Sequence, residues 1–205
     1  MDLLTSSIND FVAATASKEP TPGGGAIAAL TAATGAALAE MVANLTFGKK
    51  GYEDVQDEMH ELQHKAEAIR EKALSLAQAD ANVFNLFMDA LGLPKNTADE
   101  KAVRSAAIQQ AYKDAANVPL EIGLISYEIF ELAHVAATKG NQNLITDGII
   151  AAINARAAVK AAFLNVHINI SGIKDESYVA QLKEQMDRIE SELDEKEAAI
   201  LALYK

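Results

Sequence analysis

Asp80 is the acidic residue with the most unusual surroundings in this sequence. It lies in the segment Leu76–Phe84, among alanines and larger apolar residues, and helical spacing places it on the face that carries Leu76 and Phe84. A carboxyl group there is expected to be partly removed from water, which raises its pKa and suits it to proton transfer. The alternative is a structural aspartate whose carboxylate is satisfied by a buried donor.

Three glycines precede a predicted helix in the segment Thr21-Pro22-Gly23-Gly24-Gly25. Glycine backbone at a helix N-terminus lets N–H groups converge on an anion and lets a flat ligand approach closely. The spacing matches neither a phosphate-binding P-loop nor a dinucleotide fingerprint, so a nucleotide is not indicated. A flexible turn would explain the same residues.

Further polar residues stand in apolar surroundings or on bends. Asn165 and Asn169 are four residues apart, so one helical face could present two amides to a neighbouring helix or a ligand. Asp147 opens an apolar run, a position that suits either a pocket residue or an N-cap. Lys95 follows a proline at a bend, from which it could reach a pocket. Other cations that could meet an anionic group are Lys49, Lys50 and Arg104.

The segment His60–His64 spells H-E-x-x-H, a pattern that binds zinc in metalloproteases when it lies on a helix. Here it is surrounded by acidic and basic residues that indicate a solvated face. The other two histidines, His134 and His167, lie in apolar helices without a ligand pattern. We therefore predict no metal site.

Apolar residues recur with helical spacing along almost the whole chain. The predicted helices cover residues 2–17, 26–46, 53–91, 97–116, 119–140, 144–170 and 175 to the C-terminus. Thr97 and Glu100 form a predicted capping box, and the segment 144–170 is apolar nearly all round, which is typical of a central buried helix. The sequence thus predicts an all-α fold in a single domain, residues 1–205, built as a bundle of about seven helices.

Composition restricts the classes of partner. The net charge is −11, so nucleic acid and anionic membrane surfaces are disfavoured. The absence of cysteine indicates a cytoplasmic protein without disulfides. Residues 20–39 carry no charge, but they are too rich in Gly, Ala and Thr to predict a membrane span. The small residues of helix 26–46 predict a tightly packed inner helix or a self-association face.

Taken in order along the chain, several motifs resemble those of the cyclodeaminase/cyclohydrolase family. That family includes the C-terminal half of formiminotransferase-cyclodeaminase and free-standing methenyltetrahydrofolate cyclohydrolases. The resemblance extends over essentially the whole chain, and the ordered set is specific although no single motif is. The matching residues are Pro22–Gly25, Met41–Thr46, Asp80, Leu93–Thr97, Arg104, Val118–Leu120, Gly140-Asn141, Asp147 and Asn165–Asn169.

The resemblance implies an all-helical homodimer with a folate pocket and an essential aspartate, which by motif position is Asp80. It implies hydrolysis of 5,10-methenyltetrahydrofolate to 10-formyltetrahydrofolate, or alternatively a formiminotetrahydrofolate cyclodeaminase that releases ammonia. The sequence contains no formiminotransferase half, which favours a free-standing cyclohydrolase. A competing interpretation is a non-catalytic helical module that binds partners through its alanine-rich face.

Within the folate interpretation, each candidate residue has an expected role. Asp80 is the acid–base group, and Lys95 polarises or orients the nucleophile or the developing oxygen. Neither reaction requires a metal or an organic cofactor. The remaining assignments are Gly23, Gly24, Gly25 and Asn44 in the pterin region or at an anionic group, Asn141, Asp147 and Asn165 elsewhere in the pocket, and Lys49 and Arg104 at the glutamate tail.

Overall fold

The structure, a computed structural model, describes residues 2–204, which form six α-helices and two short 3-10 turns. No β-strand occurs within residues 2–204, and the predicted all-α class is confirmed. The two turns, Glu53–Val55 and Gln142–Leu144, directly precede the third and fifth helices. The helices are α1 Ile8–Thr15, α2 Gly24–Asn44, α3 Gln56–Gly92, α4 Ala98–Lys139, α5 Ile145–Ile170 and α6 Glu176–Leu201.

The predicted number of about seven helices is wrong, because the expected helices 97–116 and 119–140 are one continuous helix, α4. Proline usually ends a helix since it lacks the N–H that bonds to the carbonyl four residues earlier. Here Pro119 is buried inside α4, and the Ala115 carbonyl accepts a hydrogen bond from Nδ2 of Asn169 at 2.7 Å instead. A side chain from α5 thus replaces the missing backbone donor.

Side-chain caps fix the starts of three helices, α1, α4 and α6. The predicted capping box is present at α4, where Thr97 and Glu100 each bond the other's backbone N–H. Gly140 caps the C-terminal end of α4, as predicted. The first helix begins later than predicted, because Ser7 accepts the N–H of Asp10 at 3.1 Å and fixes the start at Ile8.

Helices α2 and α5 run antiparallel and lie close together. Oγ1 of Thr34 accepts a hydrogen bond from Nδ2 of Asn154 at 3.3 Å near the middle of the pair. A Cβ added to Gly35 would lie 3.1 Å from Cβ of Asn154, so the two backbones approach as closely as small residues allow. The alanines of α2 therefore make it an inner helix against α5 and α3, which was one of the two sequence expectations.

One side of this helix pair is not covered by the rest of the chain. We call it the α2–α5 face; its exposed large residues are Ile27 at 37% exposure, Ile150 at 43%, Ile153 at 41%, and Leu164 and Ile168 at 70%. Both helices are long and apolar enough to cross a membrane by length and composition, but 56% and 50% of their most apolar stretches are buried inside the protein. The prediction that α5 is buried all round is therefore wrong for this side of the helix. The sequence pattern shows that a residue is apolar, but it does not show which neighbouring element covers that residue.

Candidate active site

A cavity of about 460 Å³ opens where α2 begins and α5 ends. Its size falls in the range of small-molecule sites, and its walls combine apolar surface with a few polar groups, as such sites usually do. Residues 20–25, α3, α4 and the end of α5 all contribute to it. The lining residues are Pro20, Thr21, Gly23, Gly24, Gly25, Asp80, Val83, Phe84, Phe87, Tyr112, Ala115, Val118, Asn165, Ile168, Asn169 and Ser171.

The Asp80 carboxylate lies against the N-terminal end of α2. A Cβ added to Gly25 would overlap this carboxylate, so only glycine fits beside it. The N-cap residue of α2, Gly23, has no side chain to cap the helix, and the backbone N–H of Ala26 faces Asp80 of α3 instead. Two segments far apart in sequence are thereby joined at the cavity wall.

Partial burial raises the pKa of Asp80 above its usual value, as its sequence surroundings predicted. The backbone N–H of Ala26 stabilises the carboxylate and opposes this shift, but the loss of solvation is the larger effect. A carboxyl group with a raised pKa at the edge of a cavity is suited to taking up and returning a proton.

Aromatic side chains form the apolar part of the cavity. The rings of Phe87 and Tyr112 meet edge to face with centroids 4.8 Å apart, and Phe84 lies one turn earlier on α3. A Cβ added to Gly172 would overlap the Tyr112 ring, so a glycine after α5 lets this ring pack there. The result is a flat apolar surface beside a carboxyl group.

Two asparagines of α5 supply further polar groups. Asn165 donates through Nδ2 to the Ala161 carbonyl at 2.8 Å, and its side chain lies beside Gly24, where an added Cβ would be 3.4 Å away. Asn169 donates through Nδ2 both to Ala115 and to the carbonyl of Asn165, at 2.7 and 2.9 Å. Both amides line the cavity, as their four-residue spacing suggested.

The structure brings five of the predicted site residues together: Gly23, Gly24, Gly25, Asp80 and Asn165 line this one cavity. Four others lie near the opposite end of the α2–α5 pair, namely Asn44, Lys49, Asn141 and Asp147. Since α2 spans Gly24–Asn44, its two ends are about 30 Å apart. Within one chain these four therefore lie away from the cavity, and their roles stay predictions.

At that opposite end, Asn141 is buried and takes part in joining α4 to α2. Its backbone N–H donates to Oγ1 of Thr46 at 2.9 Å, and its side-chain Nδ2 donates to the Leu45 carbonyl at 3.3 Å. Asp147 lies in the first turn of α5, where Leu144 rather than Asp147 is the N-cap residue. The contacts of Asn141 are thus those of a structural residue within this chain.

The chain also does not bring Lys95 and Arg104 to the cavity. Helix α3 continues for about 18 Å beyond Asp80 before it ends at Gly92, and Lys95 is exposed on the loop that follows. The guanidinium group of Arg104 donates to the Leu91 carbonyl at 3.0 and 3.2 Å, which holds the end of α3 against α4. Their assignments to catalysis and to the glutamate tail remain predictions.

The H-E-x-x-H segment lies on the exposed side of α3. His60 stacks on Phe47 with ring centroids 4.4 Å apart, and Glu61 pairs with Lys65 at 2.7 Å. Across residues 2–204, no group of three His, Cys, Asp or Glu side chains is placed to hold a metal ion. The two histidines and the glutamate are thus solvated side chains of a charged helix face.

Sequence reasoning missed the aromatic part of the site. Phe84 and Phe87 carry the same apolar signal as core residues, and Tyr112 lies in a helix whose partner could not be identified from the sequence. Asn169 was recognised only as an inward amide paired with Asn165. No pattern in a single sequence distinguishes a residue that lines a cavity from one that fills the core.

Known proteins with similar sequences point to one family. A family model described as formiminotransferase-cyclodeaminase matches residues 7–188. The methenyltetrahydrofolate cyclohydrolase of Methylorubrum extorquens is 40% identical over 91% of this chain and 89% of its own length. The formimidoyltransferase-cyclodeaminase of Sus scrofa is 33% identical over 97% of this chain, which spans only 37% of that relative.

Among solved structures, the formiminotetrahydrofolate cyclodeaminase of Thermotoga maritima superimposes with a TM-score of 0.86. It is 33% identical, and the match covers 97% of this chain and 96% of that one. Sequence and fold therefore agree over nearly the full length described. The chain belongs to the formiminotransferase-cyclodeaminase family.

Proposed function

We propose that this protein is a methenyltetrahydrofolate cyclohydrolase, which adds water to 5,10-methenyltetrahydrofolate and forms 10-formyltetrahydrofolate. The observation that carries the proposal is the position of Asp80, a partly buried carboxyl group on the wall of a cavity large enough for a pteridine. The 40% identity to a curated cyclohydrolase over nearly its whole length supports the choice of reaction.

The chemistry needs one group that first accepts and then returns a proton. Asp80 takes a proton from the water molecule that attacks the methenyl carbon between N5 and N10. It then delivers this proton to N5 as the bond between that carbon and N5 breaks, and the hydroxyl proton of the adduct leaves to solvent as the formyl group forms. A positioned acid–base group of this kind contributes roughly 10²–10⁴-fold to the rate.

Electrostatics support the same assignment. The methenyl group is cationic, so an ionised Asp80 beside it stabilises the bound substrate, and the substrate in turn favours the ionised form of Asp80. The glycines at positions 23–25 let the flat ring approach the start of α2, while Phe84, Phe87 and Tyr112 provide an apolar surface for it.

The second candidate is a formiminotetrahydrofolate cyclodeaminase. The observation that favours it is the full-length structural match to a protein of that name at 33% identity. In this reaction N10 attacks the formimino carbon and ammonia leaves, and Asp80 would move the protons. The lower identity and the 37% coverage of the Sus scrofa relative make it the alternative.

The proposal includes no metal and no organic cofactor, because water addition and carbon–nitrogen cleavage at an activated cation need only proton transfers. It also includes residence in the cytoplasm, because a chain without cysteine needs no disulfide and can fold in a reducing compartment. Both statements are expectations of the mechanism and the composition.

We also propose that the protein is a homodimer whose two copies meet at the α2–α5 face. The stripe of α2 at Ile27, Thr31 and Thr34 carries no charge. The stripe of α5 is apolar at Ile150, Ile153, Leu164 and Ile168 and includes one cation at the same helical spacing, Lys160, whose Nζ lies 3.9 Å from Asp194 of α6. A largely apolar surface of this length marks an interaction site, and a self-complementary surface of this kind suits a second copy.

A dimer formed across this face would reunite the two groups of predicted site residues. If the two-fold axis crosses α2 at right angles near Thr34 and Asn154, the partner's α2 runs antiparallel to this one. The end of the partner that carries Asn44 and Lys49 then lies near the cavity of the first chain. A cation would thereby reach the region where the glutamate tail of a folate leaves the cavity.

The decisive experiment is an absorbance assay of the purified protein with each folate. Decay of methenyltetrahydrofolate absorbance is expected, whereas its appearance together with ammonia from formiminotetrahydrofolate would identify the cyclodeaminase. Asp80→Asn is expected to lower turnover roughly 10²–10⁴-fold. Asp89→Asn is the matched control, because Asp89 is exposed on the same helix.

Two results would contradict the proposal. A wild-type protein that turns over neither folate would exclude both reactions. Near-normal turnover by folded Asp80→Asn would remove Asp80 from the mechanism.

A further inference from the structure

Pro119 connects the interior of α4 to a polar side chain in the cavity. Proline has no N–H, so the Ala115 carbonyl four residues earlier lacks its usual helical donor. Nδ2 of Asn169 donates to that carbonyl at 2.7 Å and to the Asn165 carbonyl at 2.9 Å. Both N–H groups of the Asn169 amide are therefore committed to main-chain carbonyls.

These two bonds fix which way the amide of Asn169 is oriented. A carbonyl oxygen only accepts hydrogen bonds, so the nitrogen of the amide, and not its oxygen, must face Ala115 and Asn165. The side-chain Oδ1 then remains as an acceptor. Since Asn169 lines the cavity together with Ala115, this acceptor is available to a bound ligand.

We propose that Asn169 is a specificity-determining residue whose fixed Oδ1 accepts a hydrogen bond from an N–H of the pteridine ring, and that Pro119 is a positioning residue acting through Ala115. The inference rests on the proposed function, which supplies the pteridine. The pyrimidine edge of that ring carries amino and ring N–H donors. An amide free to rotate would present donor and acceptor alternately, whereas a fixed acceptor selects ligands with a donor at this position.

The same arrangement accounts for a proline inside a 42-residue helix. With any other residue at position 119, the backbone N–H would also bond to the Ala115 carbonyl, which would then divide its acceptor capacity between the helix and Asn169. Pro119 is fully buried and does not line the cavity, so its own side chain makes no contact with a ligand there. Its influence on binding is exerted through the carbonyl that it leaves open.

The test is a double-mutant cycle with methenyltetrahydrofolate as the probe. Pro119→Ala restores the N–H to α4 and weakens the bond that orients the Asn169 amide, so we expect KM to rise by roughly 3- to 10-fold while kcat changes little. Asn169→Leu removes the acceptor and should raise KM by about 10-fold or more. In the Asn169→Leu background, Pro119→Ala should have no further effect on KM.

Ser126→Ala is the matched control within α4. Ser126 is fully buried and bonds to the Ile122 carbonyl at 2.6 Å, but it is not part of the cavity wall. The Ser126→Ala substitution removes a buried hydroxyl group from the same helix and should leave KM unchanged. Circular dichroism and thermal unfolding of each variant separate loss of binding from loss of fold.

The possible results distinguish failure of this inference from failure of the proposed function. If the wild type acts on the folate and Pro119→Ala binds it with unchanged KM, or if the two substitutions add independently, the inference is wrong while the proposed function stands. If the wild type acts on neither folate, the proposed function fails and this inference fails with it. Should Asn169→Leu not fold, the KM of Pro119→Ala alone decides.

Discussion

The Asp80 carboxylate occupies the space that a side chain at position 25 would need. Gly25 therefore contributes more than a flexible turn, because the first turn of α2 and the acidic group of α3 can meet only if this residue has no Cβ. The cavity, the raised pKa of Asp80 and the start of α2 all depend on this contact.

Gly25→Ala should disable the site without unfolding the protein. The added Cβ pushes the Asp80 carboxylate away from Ala26, and a displacement on the order of 1 Å lowers the rate by roughly 10²-fold. Turnover measured beside thermal unfolding checks this. Gly92→Ala is the control, since a Cβ there would meet nothing within 4 Å. Unchanged turnover in Gly25→Ala would mean that the position of Asp80 is not critical.

The burial of Asp80 also predicts how stability depends on pH. Its pKa in the folded protein lies above the unfolded value, near 3.8, because burial disfavours the charged form. Between these two pKa values the folded state binds more protons than the unfolded state. The stability that Asp80 contributes is therefore fully present below the unfolded pKa and is lost as pH rises through the folded pKa.

Asp80→Asn removes this titration while keeping an oxygen that can accept the Ala26 N–H. The Tm of the variant minus the Tm of the wild type should therefore increase as pH rises from about 4, and level off above the folded pKa. Thermal unfolding of both proteins between about pH 4 and pH 8 measures this difference. A difference that stays constant over the range would show that Asp80 has the same pKa folded and unfolded.

A stability prediction concerns the opposite end of α2. Oγ1 of Thr46 is fully buried, donates to the Val42 carbonyl and accepts the backbone N–H of Asn141 at 2.9 Å. Thr46→Val keeps the shape but leaves that N–H without a partner, which costs about 1–3 kcal/mol. Urea unfolding measures the loss. Thr138→Val is the control, because Thr138 makes the same type of bond on an exposed surface.

How much of this could be predicted from the sequence differs between levels of structure. Helical periodicity and the capping box gave the all-α class and most boundaries because those signals are local. The continuity of α4 could not be predicted, since it depends on an amide of α5 reaching the Ala115 carbonyl from 54 residues away. Asp80 was recognisable because a carboxyl group on an apolar face is rare whatever it contacts.

Four other predicted site residues lie at the end of the α2–α5 pair opposite Asp80, and this could not be predicted for a similar reason. The motif order along the chain grouped Asn44, Asn141 and Asp147 with Asp80, and Lys49 was added as a cation for an anionic group. Sequence order contains no information about which end of a helix pair each residue occupies. The antiparallel packing of α2 on α5 separates them by the length of a helix. Only an arrangement of two chains could bring them back together.

The α2–α5 face provides the test of that arrangement. Ile153 lies near its centre, beside Asn154 and Thr34, and is 41% exposed in the single chain. Ile153→Glu would bury two symmetry-related charges against apolar surface in the proposed dimer, which is strongly unfavourable. Sedimentation equilibrium should show a dimer for the wild type and a monomer for the variant at the same concentration.

Turnover should follow the oligomeric state if the two copies share their sites. The Ile153→Glu variant is then expected to lose activity, and the specific activity of the wild type is expected to fall on dilution below the dimer dissociation constant. Val103→Glu is the control, because Val103 is an apolar residue of α4 with 65% exposure that lies outside the α2–α5 face. A fully active monomer would show that each cavity works alone, so that Asn44 and Lys49 have no part in it.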